Sequence, residues 1–321
     1  MTADNTRNNG LLAINGLKTF FFTSQGVVKA VDGVDLSVRK GETLGVVGES
    51  GCGKSITALS ILRLVPRPKG RIVEGEIVFQ GRDLLTLEEG EMRAIRGGEI
   101  GMIFQEPMTS LNPVFSIGSQ VLEALCAHKK LTKKEAGQRA VDLLNSVGML
   151  DAGHKMKAYP HQLSGGQRQR AMIAMALASD PALLIADEPT TALDVTIQAQ
   201  ILALIQGLRQ QRGLAMILIT HDLGIIAQTA DTCAVMYAGK VMEYTDVKTL
   251  FAEPKHPYTM GLLAAVHELR PIPGNVPNPL EEIPGCPFHP RCPSIKRICR
   301  REMPSLLTLS PGHEARCWLY G

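Results

Sequence analysis

The chain has 321 residues, 45% of them hydrophobic, which suits one large α/β domain or one domain with an appendage around a sizeable core. Its formal net charge is only +3, which excludes the global basic signature of a nucleic-acid binder. The N-terminus MTADNTRNNG is polar with no apolar h-region, so no secretory signal is read there, and no run of about 18 uninterrupted apolar residues offers a bilayer span, so any membrane role is expected through a partner.

Upstream of about residue 254, apolar runs alternate with helical patterns, as βα units do. Three consecutive aromatics, Phe20, Phe21 and Phe22, come first, ahead of a strand beginning near Ala30. Four short apolar runs predict buried strands: Thr43–Gly48, Gly101–Phe104, Leu183–Ala186 and Leu214–Thr220. Each ends in polar residues, and in open parallel sheets ligands gather at the C-terminal ends of strands. Between about 106 and 180 the pattern is mostly helical and reads as an insertion. Twelve of the 19 prolines lie at or after Pro254, so the remainder reads as loops and short turns. The predicted organisation is an α/β core domain over 1–253 and an extension over 254–321.

Gly48-Glu49-Ser50-Gly51-Cys52-Gly53-Lys54-Ser55 fits G-x-x-x-x-G-K-[ST] between a predicted strand and a helix that continues through Ile56. Glycines there let backbone N–H groups close around phosphate oxygens, and the helix N-terminus adds partial positive charge. Lys54 can reach the β- and γ-phosphates of ATP, and Ser55 can hold Mg²⁺. The bland alternative is a tight glycine-rich turn, which the strand–loop–helix context disfavours. The run Leu183–Ala186 then delivers two carboxylates: Asp187, expected to coordinate Mg²⁺, and Glu188, placed as general base for an attacking water. Leu163-Ser164-Gly165-Gly166-Gln167 precedes a long helical pattern. Ser164 reads as an N-cap, and the glycines expose backbone donors. This is either a plain helix cap or a second phosphate-binding helix end. It cannot easily reach the chain's own phosphate loop, which hints at a site shared between two subunits.

LSGGQ between the phosphate loop and the Asp-Glu strand resembles the signature of ABC-type ATPases, in order and spacing across about 230 residues. The resemblance implies a RecA-like α/β P-loop fold with an N-terminal antiparallel β portion and a helical subdomain. It also implies that Gln105 is the Q-loop glutamine contacting Mg²⁺ or water, and that His221 is the switch histidine at the γ-phosphate. Ala192-Leu193-Asp194 resembles the D-loop, which crosses a dimer interface, and the family stacks an aromatic on adenine. Spacing favours Phe21, with Phe20 and Phe22 on the other strand face as core.

The segments Met108–Pro113, His256-Pro257-Tyr258-Thr259 and Gly285–Pro293 narrow the resemblance to the ATPase subunits of dipeptide and oligopeptide importers, D-type. This implies a second ATPase subunit, expected to be a paralogue, two transmembrane permease subunits and an extracytoplasmic peptide-binding protein, with no nucleic acid. The implied location is the cytoplasmic face of the inner membrane.

Four of the seven cysteines, Cys286, Cys292, Cys299 and Cys317, crowd the last 36 residues. Their C-x5-C-x6-C-x17-C spacing lacks the C-x2-C pairs of zinc knuckles. A [4Fe-4S] cluster, which members of the resembled subfamily can carry, Zn²⁺ and four free thiols all remain open. Arg291, Lys296, Arg297, Arg300, Arg301 and Arg316 would offset a cluster's negative charge or form a solvated face. Because the cysteines are far in sequence from every ATP motif, a structural role is expected for them.

Overall fold

The computed structural model describes residues 10–106, 110–191, 193–267 and 270–321, so Met108 and Thr109 of the Met108–Pro113 segment, and Ala192 ahead of Asp194, lie outside the described residues. The chain forms strands β1 (Leu12–Thr23), β2 (Gly26–Val38) and β3 (Thr43–Val47), then helix α1 (Lys54–Ile61) and strands β4 (Gly70–Phe79) and β5 (Arg82–Asp83). Helix α2 (Glu89–Ile95) and strand β6 (Ile100–Ile103) lead into helices α3 (Ile117–Cys126), α4 (Lys133–Ser146), α5 (Ala152–Lys155) and α6 (Gly165–Ala176). Strand β7 (Leu183–Asp187), helix α7 (Val195–Arg212), strand β8 (Ala215–Ile219) and helix α8 (Leu223–Thr229) follow. Strands β9 (Thr232–Tyr237) and β10 (Lys240–Asp246), helices α9 (Val247–Ala252) and α10 (Pro257–His267), and the hairpin β11 (Leu307–Ser310) and β12 (His313–Ala315) complete it. There are two compact units: residues up to Thr86 with Leu218–Gly321, and Leu87–Ile217.

In the first unit, β2, β1, β4 and β5 pair in that order as an antiparallel sheet. A second run has the order β11-β12-β10-β9-β3, with β3 parallel to β9 and the other pairs antiparallel. Every residue of β3 is buried, as a continuous apolar run covered on both faces requires. The Thr220 N–H, just past β8, donates to the Val46 carbonyl at 3.2 Å.

The tail departs from the loops and short turns that its prolines predicted. It contains the 11-residue α10 and the β11–β12 hairpin, whose β12 extends the sheet by pairing Ala315 with Glu243 and Glu314 with Tyr244. Its own periodic apolar pattern is weak because it packs through single large anchors. Tyr258 and Phe288 are fully buried against Tyr237 of β9, with ring centroids 4.6 and 5.3 Å from that ring. Each such burial contributes about 1.5–3 kcal/mol. The buried Glu243 carboxylate accepts from the Lys255 N–H at 2.7 Å and the His256 N–H at 2.8 Å, and lies 2.8 Å from His313 Nε2. Burial holds the His256 imidazole down at a pKa of about 3, so it is neutral and accepts from the Tyr258 N–H.

The second unit is helical from 117 to 176, as the pattern predicted, and β6 lies parallel to β7. Three of its helices begin on side-chain caps: Ser116 for α3, Thr132 with Glu135 for α4, and Ser164 with Gln167 for α6. Asp180 receives Lys129 at 2.6 Å, Arg139 at 3.0 Å and Arg212 at 3.0 Å, tying the loop after α3, the middle of α4 and the C-terminal end of α7 to one carboxylate.

Candidate active site

In the first unit, the loop between β3 and α1 turns on glycines that no other residue could replace. At Gly48 (φ +154°) a Cβ would lie 2.2 Å from the Met236 carbonyl oxygen, and at Gly53 (φ +104°) 2.2 Å from that of Ala30. Lys54 is buried, and its ammonium donates to the carbonyls of Gly48 at 2.8 Å and Glu49 at 3.2 Å. The amine therefore ties the start of the loop to its end across Ser50, Gly51 and Cys52, with Cys52 Sγ 3.7 Å away, and Ser55 and Ile56 follow in the first turn of α1. Such a loop is an anion cradle with one fixed positive charge. Burial pushes the Cys52 thiol up and keeps it protonated, so it acts as packing. His221 is exposed directly after β8, and the following Asp222 caps α8 by accepting from Gly224 N–H at 2.7 Å.

Phe21 pairs across β1 with Val28 and Gly70, and a Cβ at Gly70 would come within 2.8 Å of its ring. Phe22 is not core: it is 43% exposed, and the Arg71 guanidinium sits 5.6 Å from its ring centroid. The alternation argument fails because the β1–β2 hairpin tip is solvated on both faces at Phe22–Val27.

In the second unit, Asp187 is buried at the end of β7, and Glu188 follows at φ +45°. Glu188 Oε2 accepts from Thr191 Oγ1 at 2.8 Å and from Gln105 Nε2 at 3.1 Å. Two donors on one oxygen fix where the carboxylate points. Ser164 caps α6, accepting from Gln167 N–H at 3.3 Å, while Gln167 Oε1 accepts from Ser164 N–H at 3.2 Å. Leu163 is buried beneath this turn. A Cβ at Gly166 would approach Ile197 Cγ2 to 2.9 Å, and one at Gly165 would meet Leu193 at 3.4 Å. The helix start thus packs against the start of α7, which Asp194 caps by accepting from Ile197 N–H at 2.9 Å.

Comparison with known proteins decides what these two sets of residues belong to. The ABC transporter family model matches residues 31–191, and the model of the oligopeptide/dipeptide transporter C-terminal region matches 242–299. The oligopeptide transport ATP-binding protein AppD of Bacillus subtilis is 53% identical, over 97% of this chain and 97% of its own. The dipeptide transport ATP-binding protein DppD of the same organism is 50% identical, over 96% and 94%.

The chain belongs to the peptide-transporter branch of the ABC ATPases.

The dimeric ATP-binding cassette MJ0796 bound to ADP and Pi is similar in structure, with a TM-score of 0.66 and 26% identity over 74% of this chain and 98% of that one. Among the described residues of this ABC ATPase no helix is long and apolar enough to cross a membrane.

The four tail cysteines line one narrow pocket together with His256 and Phe288. Cys286, Cys299 and Cys317 are buried and Cys292 is half-buried. Burial, reinforced by the neighbouring thiols, pushes Cys286 up to about 12 and also raises Cys292 and Cys317. Among the described residues no three His, Cys, Asp or Glu side chains are grouped so as to hold a single metal ion. The tail, far in sequence from the ATP motifs, reaches the phosphate loop in space. Arg291, inside the cysteine-rich segment, makes a two-pronged ion pair with Glu49 of the phosphate loop at 2.6 and 3.0 Å, and Tyr258 Oη accepts from the Glu49 N–H at 2.9 Å. Arg291 is only 9% exposed, so it is no part of a solvated basic face. Its adjacency to Cys292 was the only sequence signal that set it apart.

Proposed function

We propose that this ABC ATPase hydrolyses MgATP to energise a membrane importer of dipeptides or oligopeptides. The observation that carries the catalytic reading is the Glu188 carboxylate, placed by a left-handed backbone and oriented by Gln105 and Thr191 on one oxygen. In this reading the loop Gly48–Ser55 and Ile56 hold the phosphates, with Lys54 at the β- and γ-oxygens, and Phe21 stacks on adenine. Ser55 in the first unit, and Asp187 and Gln105 in the second, are each proposed as Mg²⁺-holding residues, and the ion would offset charge on the phosphate oxygens. Glu188 takes the proton of the attacking water, and His221 contacts the γ-phosphate. Leu163–Gln167 binds ATP carried by a second ATPase subunit, a paralogue in this reading, and Asp194 lies at that interface. Two permease subunits and an extracytoplasmic binding protein complete the transporter, and the chain sits on the cytoplasmic face of the inner membrane. Functionally, 1–253 is the ATPase and 254–321 the extension, although the extension packs into the first unit. Co-purification with permease subunits in detergent, with ATPase activity stimulated by peptide-loaded binding protein, tests the whole reading. Co-purification with nucleic acid and no permease would reject it.

The thiol pocket is proposed to hold a [4Fe-4S] cluster. Four thiols lining one pocket, without the C-x2-C pairs of zinc knuckles, support a centre whose four irons each take one thiolate. Full-length protein purified without oxygen should be brown with about four irons per chain. Colourless protein carrying stoichiometric zinc, or no metal, would reject the cluster.

A further inference from the structure

A glycine-rich loop gains phosphate affinity only if its N–H groups are already aimed, because ordering it on binding would cost affinity. Glu49 is where this loop is held from outside. Its N–H donates to Tyr258, its carbonyl accepts from Lys54, and its carboxylate is gripped by Arg291. Arg291 has no spare donor: Nε donates to the Pro273 carbonyl at 3.0 Å, and Nη1 and Nη2 also reach Tyr237 Oη and the Ile272 carbonyl, each at 3.3 Å. With the two bonds to Glu49, all five guanidinium N–H groups are engaged, which fixes the fork rigidly. The Arg291 side chain is 4% exposed and that of Glu49 26%, so solvent reaches the pair mainly from the carboxylate side. The pair also has an electrostatic task. A carboxylate inside a triphosphate-binding loop repels its ligand, and Arg291 cancels that charge from behind.

We propose that Arg291, supplied by the C-terminal extension, is a positioning residue for the nucleotide: through Glu49 it sets the phosphate loop and masks its negative charge, so ATP affinity depends on the seated tail. This rests on the ATP-binding reading of the loop. The test is a double-mutant cycle on MgATP affinity of the full-length chain, with limited proteolysis of the same samples to follow the tail. Arg291→Met should weaken MgATP binding about tenfold, a usual size for coupling between sites. Adding Glu49→Gln should recover part of that loss, because the unmasked carboxylate is then gone. Arg291→Lys should fall between wild type and Arg291→Met, keeping the charge but not the fork. A role confined to stapling the tail gives no recovery in the double variant. Affinity of Arg291→Met within about twofold of wild type, or losses that simply add in the cycle, would overturn the proposal. If protease cleaves the tail of Arg291→Met, the cycle is read with Arg291→Gln, which keeps hydrogen-bond donors but not the charge, and recovery or additivity decides as before. A wild-type chain that binds no MgATP would overturn the nucleotide reading itself, and this inference with it.

Discussion

Glu188 adopts a backbone that a side chain enters at a cost of about 1–2 kcal/mol. The strain aims its carboxylate at Gln105 and Thr191. Glu188→Gln should bind MgATP with near-wild-type affinity and hydrolyse it at least about 100-fold more slowly, the usual contribution of a positioned base. Phosphate release from the assembled transporter measures this, and near-normal turnover would remove Glu188 from the chemistry. Lys54→Ala should instead weaken nucleotide binding itself, since Lys54 supplies the loop's fixed positive charge and bridges two of its carbonyls. Equilibrium binding of a fluorescent ATP analogue separates the two phenotypes. The positions of Lys54 in the loop and of Glu188 just past a strand end were legible because each is written in consecutive residues. Arg291 was not: it meets Glu49 across 242 positions, and no local pattern announces such a pair.

At the scale of elements, the buried strands were readable from their apolar runs, and β3, β6, β7 and β8 fall where those runs lie. Helix α6 begins at Ser164 because the hydroxyl and Gln167 cap each other. Ser164→Arg should leave the chain's own ATP binding nearly intact and abolish transport, if that helix end serves the nucleotide of another subunit. Loss of ATP binding by the isolated chain would end the shared-site argument. The Asp180 junction makes a separate, pH-dependent prediction. Burial pushes its carboxyl up, but the hydrogen bond from Lys129 and the charges of Lys129, Arg212 and Arg139 outweigh this and hold it below the ordinary value. A depressed folded-state pKa contributes stability above the unfolded value near about 3.9, lost as pH falls through the folded one. Asp180 is partly exposed, so Asp180→Asn should cost only about 0.5–1 kcal/mol at pH 7. Urea melts should show that difference shrinking as the pH drops below the carboxylate range.

At the scale of the molecule, the tail is where composition misled. Proline-rich spacing and weak periodicity predicted an appendage without a core. Yet Tyr258, Phe288 and Arg291 are separate anchors set into the first unit, which no periodic pattern could reveal. One consequence extends the structural role expected of the cysteines to the phosphate loop. Cys292→Ser, one residue from Arg291, should lower MgATP affinity of the full-length chain along with loosening the tail to protease. Unchanged affinity with a loosened tail would show the two to be independent.

Glu243 carries this further. A carboxylate with no solvent exposure is tolerated in β10 because Lys255, His256 and His313 of the tail surround it with donors. A chain cut after Ala252 would strand that charge in an apolar sheet, so no stable catalytic fragment should be obtainable by trimming alone. Glu243→Leu in the same fragment should rescue its solubility. The extension is therefore part of the sheet's own foundation: in this chain the groups that make Glu243 tolerable arrive only after the strand has ended, at Lys255, His256 and His313.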